Sequence, residues 1–254
     1  LASELHAEPV PEALPSRRTL LAASVAGLGV AGAGLIAARW RQSQTLETGR
    51  GEIRTQALQD GSELVLSTMS RVSIRYGQST RQVMLMFGEV LFDIADDPSR
   101  PFVIHSAGAV LTAHSGRFLL RRLDQTTLRV SAIAGEARLL SRSRDEHLIR
   151  ASEEISLLPE AEGRVETIDA SHTARMLAWT DGNIAFHDDT LATAASEFGR
   201  FRGAPILIAD PEVASMKITG LFVANDPAAF ARAVAISLNL RAEISSNRIV
   251  LSLG

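Results

Sequence analysis

One membrane-spanning helix, then an all-β domain, then a small two-helix α+β module is the architecture the chain predicts, and three features of the sequence carry it. An uncharged apolar run lies near the start, a long middle stretch alternates apolar and polar residues in twos, and the last part mixes helix-like with strand-like periodicity. The 254 residues, 46% hydrophobic and 22% charged, suit a globular protein. Lys plus Arg number 26 against 29 Asp plus Glu, a net charge of -3, so there is no basic footprint for direct nucleic-acid binding. The lack of cysteine excludes disulfide frameworks, thiolate zinc sites, iron–sulfur ligation and cysteine nucleophiles.

The first element is the span. Thr19 to Ala38 is an uncharged run of about 20 residues, enough at roughly 1.5 Å per residue to cross a ~30 Å hydrocarbon core. Its large aliphatics are few (Leu20, Leu21, Val25, Leu28, Val30, Leu35 and Ile36), each worth roughly -0.3 to -0.6 kcal/mol on insertion. Ala23, Gly27 and Ala31 have the spacing at which helices pack closely, but a weakly hydrophobic export segment is the simpler reading. Residues 1–18 read as a short cytoplasmic remnant ending in Arg17 and Arg18, a pattern that resembles the twin-arginine export signal. Arg39 and Arg41 balance that pair, so charge alone does not orient the span; the arginine pair places the first side in the cytoplasm. A removed signal wants a small-x-small site after the apolar core. Ile36-Ala37-Ala38-Arg39-Trp40, with Trp40 at interfacial depth, favours a retained anchor. Gly27-x-Gly29-x-x-Gly32 matches the dinucleotide-binding spacing but sits inside the span, not between a strand and a helix, and is rejected as a nucleotide site.

Residues 46–158 form the β domain. Val72, Ile74 and Tyr76 alternate with Arg71, Ser73 and Arg75; Val83, Leu85 and Phe87 with Gln82, Met84 and Met86; Val90, Phe92 and Ile94 with Leu91, Asp93 and Ala95. Each first-named set is expected to face a core. Gln59-Asp60-Gly61-Ser62 is a turn signal, since Gly and Asp tolerate positive φ. Gly51-Glu52, Gly88-Glu89 and Gly135-Glu136 read as strand starts, too unevenly spaced for a solenoid.

Residues 159–178 are polar and read as a linker, partly helical. The module, 179–254, follows. Asp188 and Asp189 are candidate caps for a helix burying Leu191, Ala195, Phe198 and Phe201, and Asp226-Pro227 opens a second whose stripe is Phe230, Val234 and Leu238. Pro205 to Ala209 and Met216 to Val223 read as strands; Leu240–Ile244 and Arg248–Leu251 flank Ser246-Asn247 as a terminal hairpin.

Chemistry is sparse. The six histidines are scattered with no HExxH, so no metal site is expected. Asp93, Asp96 and Asp97 lack the glycine and distal glutamate of a calcium loop and read as a solvated turn. No Gly-x-Ser-x-Gly nucleophile and no cofactor motif is present. Carboxylate pairs for glycoside hydrolysis are visible only in a fold, and nothing in the sequence points to them. Most phenylalanines occupy periodic apolar positions and read as core; Trp179 reads as a packing residue between domains, or as part of a partner surface.

These residues resemble the FecR family of inner-membrane sigma-factor regulators. Leu58-Gln59-Asp60-Gly61-Ser62-Glu63-Leu64-Val65-Leu66, followed by Ser70, is similar to the family's L-x-DGS-x-v-x-L stretch. Gly88-Glu89-Val90-Leu91-Phe92 is similar to its GEa-x-F strand, and Arg100-Pro101-Phe102 to its rPF turn. Ser115-Gly116-Arg117-Phe118 departs from the usual Gly-Thr-x-Phe but keeps Phe118. The last module resembles the short N-terminal domain of secretins and TonB-dependent receptors: Trp179 to Phe186, including Gly182, looks like its opening strand, Phe198-Gly199-Arg200-Phe201 the end of its first helix, and Ile218-Thr219-Gly220-Leu221-Phe222 its middle strand.

The resemblance implies an anti-sigma factor or iron-transport signal transducer: single-pass in the inner membrane, C-terminal domains in the periplasm, without catalysis or cofactor. Its implied partners are the N-terminal signalling domain of a TonB-dependent outer-membrane receptor and, through a cytoplasmic domain, an extracytoplasmic-function sigma factor. Trp179, Gly182, Phe186, Arg200, Gly220 and Phe222 mark the candidate partner-binding module. The family carries a helical sigma-binding domain ahead of the span; Leu1 to Ser16, broken by Pro9, Pro11 and Pro15, does not supply one, which suggests either a fragment or a sensor that has lost that half. The alternative is a twin-arginine exported periplasmic binding or carbohydrate-active β protein, which leaves the last module unexplained.

Overall fold

A computed structural model describes residues 43–158, 163–201 and 203–254. The span expected at 19–38 and the pair Arg17 and Arg18 lie outside the described residues; among those, no helix is long and apolar enough to cross a membrane. What is described is mostly β with few helices.

Strands β1 (Gln44–Glu47), β2 (Arg54–Ala57), β3 (Glu63–Leu66), β4 (Arg71–Tyr76), β5 (Arg81–Ile94), β6 (Phe102–Ser106), β7 (Ala109–Ala113), β8 (Gly116–Arg122), β9 (Leu128–Leu140), β10 (Glu146–Arg150), β11 (Glu153–Leu157) and β12 (Val165–Thr167) form one hydrogen-bonded network of 12 strands. It has two arms. One runs β1-β4-β5-β6-β7-β9-β10. The other runs β2-β3-β5-β8-β9-β11-β12. Strands β5 and β9 belong to both, and the apolar rows of the two arms, Leu64, Val72, Leu85, Phe92, Leu111 and Phe118 among them, make one core.

Glycine permits the sharing. Before Gly88, β5 pairs with β4 and β6; from Gly88 onward it pairs with β3 and β8. Gly135 divides β9 in the same way, between the β8 and β11 pairings and the β7 and β10 pairings. Both take positive φ, +103° and +81°, a backbone that bends a strand from one sheet direction to another. The expectation of strand starts at Gly88 and Gly135 is therefore corrected: both stand inside strands, as corners. The same bend corrects Phe87. Arg71 pairs with Phe87 but Val72 with Leu85, so Met86 is an extra residue that shifts the alternation. Phe87 is 38% exposed, whereas Val83 and Leu85 are buried.

The stretch expected as a linker at 159–178 holds β12, paired with β11, and α1 (Ala170–Leu177), whose N-cap Asp169 accepts the His172 N–H. The helical part is expected, though no residue of α1 is fully buried; β12, three residues long, is concealed by the polar composition. A 3-10 turn, Ala178–Asp181, then carries Trp179, which is not in the opening strand as expected. The module continues with β13 (Asn183–Thr190), α2 (Leu191–Phe198), β14 (Ile206–Ile208), α3 (Pro211–Ser215), β15 (Lys217–Val223), α4 (Pro227–Leu238), β16 (Leu240–Ile244) and β17 (Ile249–Leu253). The strands pair as β13-β15 and β14-β17-β16.

Thr190, not Asp188 or Asp189, caps α2. Strand β13 runs through both aspartates, and a bulge puts Asp188 at φ +57°. In α4 the reading and the fold coincide: the Asp226 side chain accepts the Ala229 N–H, Pro227 leads the helix, and Phe230 and Val234 are buried. Helix α3 is a short addition that the periodicity, with five residues to act on, did not reveal.

Candidate functional site

Cross-strand register on the outer face of the second arm decides where the module sits. Val65, Leu91, Leu119 and Ser131 stand side by side across β3, β5, β8 and β9. Two residues along, Glu89, Arg121 and Arg129 make a parallel row. Residues two apart share a face, so an apolar row lies beside a charged one. The apolar row is roofed by the module: Leu91 and Leu119 are buried in a single cluster with Trp179, Phe186, Phe198, Phe201 and Phe230. Leu91, expected to face outward, does point away from the β core, but the module covers it.

Helix α2 brings the complement to the charged row. Arg200 meets Glu89 at 3.0 Å and Glu197 at 2.9 Å, while Arg121 reaches Glu89 at 3.6 Å and also pairs with Glu197. Burial pushes the Glu197 carboxyl up, but Arg121 and Arg200 outweigh it and hold the group below the ordinary range. Burial would lower the Arg200 guanidinium; Glu89 and Glu197 raise it instead. Bonds to backbone carbonyls flank the cluster: Thr68 Oγ1 donates to Arg200 O at 2.8 Å, Arg50 to Gly199 O at 2.7 Å, and Asn225 to Gly51 O at 3.3 Å. Glu89→Ala leaves Arg121 and Arg200 to share Glu197 alone, and is expected to lower stability by about 3 kcal/mol. Urea unfolding checks this, and in a double-mutant cycle with Arg200→Ala the second change should cost less than it does alone.

Beside the cluster lies a cleft of about 250 Å³ lined by residues of both domains, among them Arg129 and Ser131 of β9, His172 and Arg175 of α1, Trp179 and Phe186. Among the described residues, no three His, Asp or Glu side chains stand together in a way that would hold a metal ion.

The residues singled out in the β domain converge on one buried guanidinium. The Asp60 carboxylate accepts from Ser62 Oγ at 2.7 Å, Tyr76 OH at 2.9 Å and Arg81 Nη1 at 3.0 Å. Gly61 takes φ +85° in that turn, and Ser62 Oγ accepts the Ala95 N–H at 3.0 Å. Arg81, whose side chain is wholly buried, also donates to Ala95 O, Arg100 O and His114 O, and its N–H bonds Pro101 O at 3.0 Å. It lies 5.3 Å from the Phe102 ring centroid, with Phe92 edge-on behind at 6.3 Å. Phe92 and Phe118 face each other in register, and Arg100 pairs with Asp97 at 2.8 Å. Gly88 and Glu89 supply the corner and the junction. Arg81 itself escaped the sequence reading, because an arginine opening a strand looks solvated.

The six residues marking the candidate partner-binding module are mostly interior. Trp179 and Phe186 are buried, Phe222 packs on Phe186 and Phe230, and Gly220 lies against the Phe222 ring. Gly182 closes the 3-10 turn at φ +76°, and Arg200 is in the ion cluster. The open apolar surface of β15 is made by two residues not singled out, Leu221 and Val223, 64% and 59% exposed. Only the register of β15 distinguishes them from Phe222.

Residues 44–138 match the FecR protein family. The β domain is FecR-like over that stretch. No curated protein matches the chain. Two crystal structures of a candidate anti-sigma factor from Parabacteroides distasonis, at 2.50 and 1.65 Å, are similar in fold, with TM-scores of 0.69 and 0.68 at 20% identity. The likeness covers 84% and 83% of this chain and 99% of each of those, so it extends beyond the FecR domain into the module that the Glu89–Arg200 cluster fastens to it.

Proposed function

We propose that the chain is a non-catalytic, single-pass regulator of an extracytoplasmic-function sigma factor, its FecR domain and module lying in the periplasm. They receive a signal from a TonB-dependent outer-membrane transducer of the siderophore or iron-uptake kind and pass it through the inner membrane. The observation that carries this reading is the FecR domain joined to a second module in an arrangement similar to a candidate anti-sigma factor over nearly its whole length. A relay needs a partner that distinguishes two states of the receiver, since a ligand with equal affinity for both shifts nothing. The junction, where two buried leucines, a set of ion pairs and a few backbone bonds join the domains, is the candidate two-state element. Deleting the gene and sequencing transcripts with and without iron tests the reading. The expected result is a discrete set of genes, including one for a TonB-dependent receptor, that loses induction or becomes constitutive; an unchanged transcriptome overturns it.

The receptor's signalling domain is proposed to dock on the two-stranded β13-β15 sheet. Each strand has one pairing partner there among the described residues, and Leu221 and Val223 are open, the features used in strand addition. Leu221→Asp should leave the unfolding free energy within about 0.5 kcal/mol of the parent and weaken receptor-domain binding about tenfold. Titration calorimetry with the purified signalling domain checks it, and equal affinity for parent and variant counts against this surface.

A further inference from the structure

A buried polar atom without a partner has given up its hydrogen bonds to water for nothing in return, and such atoms are rare. Trp179 Nε1 and His172 Nε2 are two of them among the described residues, and both residues line the cleft beside the junction. Trp179 is 6% exposed. Its indole N–H can only donate, so the missing group is an acceptor.

The surroundings narrow the class of acceptor. Arg175, three residues after His172 and so on the same side of α1, also lines the cleft; its guanidinium donates to the Ser171 hydroxyl at 2.9 Å, with the Asp169 carboxylate near enough to feel its charge. Arg129 meets Glu154 only at 3.6 Å and is half exposed. The lining acids are otherwise engaged: Glu89 and Glu197 with Arg121 and Arg200, and Asp189 with the His187 N–H at 2.8 Å. Leu119, Ile184 and Phe186 add apolar wall. At about 250 Å³, the space suits a molecule of amino-acid size, below the range of drug-sized pockets.

We propose that this cleft binds a small organic carboxylate with an apolar tail. Its carboxylate accepts from the Trp179 indole and faces Arg175 and Arg129, and its tail lies against Ile184 and Phe186. The site is independent of the sigma-factor reading and stands or falls without it.

The test uses the full chain carrying Trp40→Phe, which leaves Trp179 as its one indole. The ¹⁵N-labelled indole signal is followed while 3-phenylpropionate or hexanoate is added, with the matching primary amides as neutral probes. The acids are expected to shift the indole N–H resonance saturably, and Arg175→Gln, at a half-buried position, to weaken their binding about tenfold. Amides that bind as well as the acids overturn the assignment of a carboxylate. An indole signal unmoved by either, showing exchange with a long-lived water, assigns the two atoms to a buried water and overturns the site.

Discussion

Arg81→Ala is expected to destabilise the FecR-like β domain by about 4 kcal/mol, a large share of the roughly 5–15 kcal/mol a domain has. The substitution deletes donors to Asp60, Ala95, Arg100 and His114 together. It leaves the Asp60 carboxylate, whose side chain is 2% exposed, without its cation. Thermal unfolding followed by circular dichroism checks the loss; a midpoint within a few degrees of the parent would show the cluster to be incidental. Asp60→Asn, which keeps the shape and one acceptor oxygen, should cost less. A pH effect accompanies the pair. Burial pushes the Asp60 carboxyl up, but hydrogen bonds from Ser62, Arg81 and Tyr76 outweigh it and hold the group below the ordinary carboxylate range. A depressed carboxylate contributes stability that is complete above its unfolded value, about 4, and is lost as pH falls through the folded one. Parent protein should therefore lose stability in acid below about pH 4, and Asp60→Asn should flatten that part of the curve.

Gly88→Ala carries the second large effect, about 4 kcal/mol or more. A Cβ at this corner would stand 2.2 Å from Ser70 Oγ and 2.4 Å from Ser70 Cα, at a φ of +103°. Ser70 cannot give way freely, because its hydroxyl bonds the Glu89 carbonyl and accepts the Glu89 N–H. Gly182→Ala is the control: φ there is +76°, but a Cβ meets nothing within 4 Å, so only the left-handed backbone term of about 1 kcal/mol applies. Urea midpoints of the two variants side by side separate steric exclusion from backbone preference. Equal small losses would mean that the corner relaxes.

How much of this was legible follows from what alternation can and cannot encode. Val72, Ile74, Val83, Leu85, Val90 and Phe92 announced themselves because one face of each strand is apolar, and Asp226-Pro227 announced α4 because caps are local chemistry. Phe87 misled because a single inserted residue, Met86, reverses the phase of a period-two pattern. Gly88 and Gly135 were legible as places needing glycine, but a corner within a strand and a turn before one ask for the same backbone freedom. The junction was hidden for another reason. Glu89 and Arg121 are charged residues on the outward face of their strands, where solvent is the default neighbour, and only the arrival of α2 with Glu197 and Arg200, more than seventy positions later, buries them. The outward row of Leu91 and Leu119 held a local hint that something covers that face.

The sharing of β5 and β9 between the two arms has a consequence for how the FecR domain comes apart. Opening one arm leaves half of β5 and half of β9 unpaired beside the halves still held in the other. Each shared strand also takes partners beyond its sequence neighbours, β3 and β8 for β5 and β7 and β11 for β9, so part of its pairing waits on loop closure. The domain is thus expected to unfold as one cooperative block. Slow to assemble and all-or-none in failure, such a block transmits a push at one edge as displacement, not as local melting.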